Sequence, residues 1–95
     1  MAMDIAREAA ETRRLIEVFK NDYVGGEDDR VLRDKAKEIF ERLDEETKAV
    51  RGNSIVVDLV NQKRHEFEKF VQHVYQSRHA PELKKYFFEY KKKHH

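Results

Sequence analysis

Residues 29–50 read DRVLRDKAKEIFERLDEETKAV, and within them Leu32, Ala36, Ile39, Leu43, Glu46 and Val50 recur at alternating steps of four and three. At 3.6 residues per turn, that rhythm returns each of these side chains to one side of a helix. The same rhythm runs through Ile5, Ala9, Thr12, Ile16, Phe19 and Tyr23 before it, and through Val56, Val60, Lys63, Phe67, Phe70 and Val74 after it. Three such seams separated by turn signals predict an all-α fold.

The boundaries follow from local chemistry. Asp4 and Glu8 sit where carboxylates meet the positive pole of a first helix, over about 4–24, and Gly25-Gly26 closes it by offering the left-handed conformation. Asp28 or Asp29 caps a second helix over about 29–50, whose exposed face alternates acids and bases. Gly52-Asn53-Ser54 makes the next turn, with Gly52 closing one helix and Asn53 or Ser54 opening the next, over about 55–77. Its opening, Ile55-Val56-Val57, is β-branched and reads as a strand in isolation, but the chain has no second strand to pair with it. Pro81 then breaks the pattern and fits the first position of a short fourth helix over about 81–92. The expected fold is an antiparallel bundle of three long helices with a short fourth one, in a single domain over 1–95.

Composition agrees with a thin core under a heavily ionised surface: 39% of the 95 residues are apolar and 41% charged, with a net charge of +1. Mean hydropathy is −0.95, yet the apolar residues are periodic rather than scarce, which favours folding over disorder. Cysteine is absent, and with it disulfides, thiolate metal sites and thiol nucleophiles. No long apolar run or secretion signal is present, so no membrane partner is expected and the cytoplasm is the expected address. His94 and His95, which follow three lysines, carry no functional weight in this reading.

Motifs for catalysis are missing. His65-Glu66 begins the HExxH zinc pattern, but Lys69 stands where its second histidine belongs. His73, His79 and Glu82 cluster about the proline break without a ligand spacing, so surface histidines are the better reading and no cofactor is expected. Paired carboxylates such as Asp28-Asp29 and Glu45-Glu46 lie among bases with no sign of a pocket to move their titration. The chain also lacks a phosphate-binding glycine loop and a nucleophile elbow, so neither an enzyme nor a small-molecule substrate is expected.

Two kinds of partner remain. The apolar faces are broad, since Leu15, Val18, Val31, Phe40, Leu59 and Val71 flank the seams. Three long helices and a short fourth leave part of a groove uncovered, to be filled by a second copy or by another protein's helix. Glu46 and Lys63 suit a closed core badly and mark an edge, unless Lys63 lays its stem over the core and keeps its ammonium in water. A small non-enzymatic binding or regulatory protein, with a homodimer as one form of it, is the leading expectation. Leu83, Tyr86, Phe87 and Tyr90 are expected to form its adaptable face, because a short terminal helix after a proline has the fewest tertiary contacts.

The alternative is a nucleic-acid binder. Residues 1–51 carry fourteen acids against eleven bases, a balance of −3, whereas residues 52–95 carry five against nine, a balance of +4. Lys84, Lys85, Lys91, Lys92 and Lys93 are interleaved with aromatic rings, a mixture that can hold phosphates and stack bases. The same rings match a core face, which leaves the lysines to solvate a terminal helix. Asn61, Gln62, Arg64, His65 and Glu68 form a polar side of the third helix that suits a recognition helix, but its first turns, Ile55 to Val60, read as buried.

Overall fold

The computed structural model describes residues 4–94 and contains four helices there: α1 (Ile5–Val24), α2 (Asp29–Ala49), α3 (Ser54–Ser77) and α4 (Pro81–Lys93). Each boundary lies within a residue or so of the expected one. Asp4, Asp28 and Asn53 cap the three long helices, each accepting a backbone N–H of the first turn on its side-chain oxygen. Past α1 it is Gly26, at φ 77°, that turns left-handed, and the amides of Gly26 and Glu27 reach back to the carbonyls of Tyr23 and Asp22. Gly52 does not take that form, because α2 ends earlier, with Val50 as its cap.

The helices run alternately up and down, and α2 is their centre. α1, α3 and α4 all pack against it, which is why its seam is the most completely buried: Leu32, Ala36, Ile39, Phe40 and Leu43 are at most 1% exposed. α3, at 24 residues, spans about 36 Å at 1.5 Å per residue and sets the long dimension of a 40 × 26 × 21 Å molecule.

An aromatic cluster fills the junction of α2, α3 and α4. The Phe40 ring lies 4.9 Å from Phe67, 6.0 Å from Phe87 and 4.3 Å from Tyr90, and Phe19 of α1 meets Phe67 edge-on at 5.2 Å. α1 and α3 touch chiefly towards their C-terminal ends, where Tyr23 packs on Phe70 and hydrogen-bonds Ser77 at 2.5 Å.

The short helix is firmly held. Asp29, in the first turn of α2, accepts the amides of Glu82 at 2.8 Å and Leu83 at 3.0 Å, so one helix caps the free amino end of another. Arg33 of α2 also reaches Glu82, and Arg78 before the proline donates to the Glu27 carbonyl at 2.7 Å. The expectation that α4 has the fewest tertiary contacts is corrected by these bonds and by the rings that it buries.

Candidate functional site

α4 lies over the edge between α2 and α3, which leaves the opposite edge, between α1 and the amino-terminal half of α3, open. The opening is a groove of about 610 Å³, with Ile5, Ala9 and Ile16 on one wall and Val56, Leu59 and Val60 on the other. Leu59 of that lining is 60% exposed, and Ile55, one turn before it on α3, is 73% exposed. Of the first turns of α3, expected to be buried, Val60 is, and Val56 and Val57 are half-buried against the core. Ile55 and Leu59 project outward because α1, the neighbour that would cover them, approaches α3 closely only further along.

On the floor of the groove the polar members of the three seams meet. Glu46 is 1% exposed; its Oε2 accepts from the Thr12 hydroxyl at 2.7 Å and its Oε1 from Lys63 Nζ at 3.1 Å. Thr12 has one proton and a second acceptor in reach, the Glu8 carbonyl at 2.9 Å, and the charged carboxylate is the nearer. The Lys63 side chain, 17% exposed, lines the groove together with Glu46. The two misfits of the periodic pattern are thus each other's partner, and they sit beside the open edge. An apolar cleft with a few converging polar groups on its floor is the usual shape of a binding site. Arg13, Glu17 and Lys20 follow one another along the α1 rim, with Gln62 and Glu66 across from them.

The residues expected at an adaptable face lie elsewhere. Leu83, Phe87 and Tyr90 are at most 6% exposed, and Tyr86 is half-buried against Phe40 and Tyr90. A partner docking on the closed bundle does not reach the first three. Of the rings on α4, Phe88 faces out, at 49% exposure. Burial raises the phenols of Tyr86 and Tyr90 above their ordinary range; at Tyr90 the Arg64 cation opposes the effect and Asp44 adds to it.

The five lysines offered to nucleic acid are divided. Lys91 pairs with Glu68 at 3.4 Å, and Lys84 lies over the rings of Tyr75 and Phe88. Lys85, Lys92 and Lys93 are exposed, Lys85 beside Glu82 and Glu89. The proposed recognition side of α3 is largely spent on the fold: Arg64 is held by Asp44, Thr47 and Asn61, each at 2.8 Å, and Glu68 is 12% exposed. Asp44 also accepts from Tyr90 at 3.0 Å and lies 3.0 Å from His94, a cluster with no periodic signature in the sequence. Among the described residues no group of three or more acidic or histidine side chains converges as a metal site would, and His73 packs against Tyr23 and Phe70. No described helix is long and apolar enough to cross a membrane.

Compared with models of protein families, with curated proteins and with solved structures, the chain matches none.

Proposed function

We propose that this is a non-enzymatic helical interaction protein that works through the α1–α3 groove, and that the occupant of the groove is a second copy of the chain. The observation that carries the reading is Leu59, a large apolar side chain held in water on the wall of an apolar groove, with the likewise exposed Ile55 one turn before it on α3. The molecule offers a ridge and, next to it, a trough of matching chemistry, and a twofold axis along the groove sets each ridge into the other copy's trough. Charge supports a self-complementary fit. The lining holds Arg13, Lys20 and Lys63 against Glu17, Glu46 and Glu66, so it sums to zero and favours neither a strongly acidic nor a strongly basic partner.

Light scattering after size exclusion tests this, with the wild type beside Leu59→Glu and Val24→Glu. Val24 is 83% exposed at the far end of α1 and serves as the control. The expected result is a wild-type dimer that Leu59→Glu converts to a monomer of unchanged helicity, while Val24→Glu stays dimeric. A wild type that is monomeric at high concentration, or a dimer indifferent to Leu59→Glu, overturns the proposal.

A further inference from the structure

A second surface lies on the other side of α3, independent of the groove. There α3 and α4 flank a cleft of about 500 Å³ whose lining includes His65, Lys69, Gln72, Tyr75, Phe88 and Lys92. Phe88, half in water, meets Tyr75 edge-on at 6.0 Å, and Lys84 Nζ stands 5.6 Å from one ring centre and 5.7 Å from the other. The cation and the two rings form one notch: Lys84 stands over Phe88, and the half of that residue left in water offers a stacking surface.

Charge around the notch is one-sided. The carboxylate in the lining, Glu68, is 12% exposed and already neutralised by Lys91. Among the described residues no carboxylate comes within ion-pairing distance of Lys69, Lys84 or Lys92, although the chain as a whole has nineteen acids for twenty bases. Like charges gathered beside an exposed ring repel one another, and a polyanion that carries flat apolar groups relieves both conditions.

We infer that this α3–α4 cleft binds single-stranded nucleic acid: Lys69, Lys84 and Lys92 take successive phosphates, one base stacks on Phe88, and Gln72 meets a base edge. An unpaired base is required, because a ring set in a cleft between two helices cannot reach into a closed duplex. An anionic bilayer fits less well. The ring lines a concavity, and the other apolar side chains of α4, namely Leu83, Phe87 and Tyr90, are buried, so the helix has no broad apolar face to insert. The contact differs from the one expected for α4 alone, since Phe87 and Tyr90 are core residues and half of the surface belongs to α3.

The test is fluorescence anisotropy with a labelled thymidine oligonucleotide of about twelve residues, over a salt series, beside a labelled hairpin duplex and phosphatidylserine vesicles. Three phosphate contacts on a single strand give a slope of log affinity against log salt of about −2. Phe88→Ala, a change at an exposed position, is expected to weaken binding by about fivefold to 150-fold, the range for loss of one stacked base. Lys84→Gln with Lys92→Gln is expected to flatten the slope to about −0.7, while Arg7→Gln, on exposed α1, changes neither. No binding at low salt, equal effects of Phe88→Ala and Arg7→Gln, a preference for the hairpin stem, or binding to vesicles in place of the oligonucleotide each overturns the inference.

Discussion

Lys63→Met removes the ammonium that faces Glu46 while keeping most of the stem that covers the groove floor. Glu46 is 1% exposed, so its carboxylate stays out of water with the Thr12 hydroxyl as its remaining partner. Breaking a buried ion pair from one side costs about 3–5 kcal/mol, because it leaves a charge uncompensated. Lys63 is itself 17% exposed, and the water that this opening admits puts the expected loss at the lower end, about 3 kcal/mol. For a chain of this size that corresponds to a drop of about 12–24 °C in Tm, or a large fraction of the total stability. Urea unfolding followed by circular dichroism reads it as a lower midpoint with an unchanged slope.

The decisive comparison is the double variant Glu46→Leu with Lys63→Met. Replacing a whole buried pair by apolar groups of similar size is often neutral or stabilising, and Thr12 keeps the Glu8 carbonyl as its acceptor, so nothing polar is orphaned. Recovery of most of the lost stability is expected. A loss below about 1 kcal/mol for Lys63→Met, or a double variant no more stable than the single one, would refute the argument that Lys63 acts by neutralising Glu46.

Three further outcomes follow from the packing. Asp29→Ala should release the two amides at the start of α4 and cost about 1–2 kcal/mol, the worth of a good helix cap; hydrogen exchange should show faster exchange in the first turn of α4 and no change in α1. Phe40→Ala, at the hub of the aromatic cluster and 0% exposed, should cost about 3–5 kcal/mol in urea unfolding, whereas Phe88→Ala should leave stability within about 0.5 kcal/mol. Tyr86 and Tyr90 titrate above the ordinary phenol value of 10.0 in the fold, so their contribution to stability is intact below pH 10 and is lost as pH rises from there through their raised values. Their ionisation, read at the tyrosinate absorbance band, should coincide with loss of helicity in strong alkali; phenolate formation in a bundle that stays helical would contradict the burial.

Glu46 and Lys63 mark the limit of what helical periodicity conveys. As breaks in the apolar rhythm both were visible, and each pointed to an edge. Their pairing was not visible, because the rhythm places a residue on a face of its own helix and says nothing of its height against a neighbouring helix. Thr12 belonged to the seam of α1 without pointing to a partner, since a threonine in a helical seam has an acceptor four residues back and needs no tertiary one. Ile55 and Leu59 were misplaced for a related reason. An apolar first turn reads as core, and whether it is covered depends on where another helix passes. On α4 the stripe of Leu83, Phe87 and Tyr90 was legible, but not the Asp29 carboxylate that draws the helix onto α2 and closes the stripe into the core. Phe88 stood out only once those other apolar positions were accounted for.

From the sequence alone came the helices, their ends and the side of each that avoids water. A helix is closed by hydrogen bonds to residues four places away, its caps are neighbours in the chain, and its amphipathic side is a property of spacing. The tertiary structure decided that α4 covers the α2–α3 edge and leaves the α1–α3 edge open, that the three polar seam residues meet, and that Phe88 shares a notch with Tyr75 and Lys84. Those are matters of relative height and rotation between segments tens of residues apart, set by how the rings of Phe19, Phe40 and Phe67 pack together.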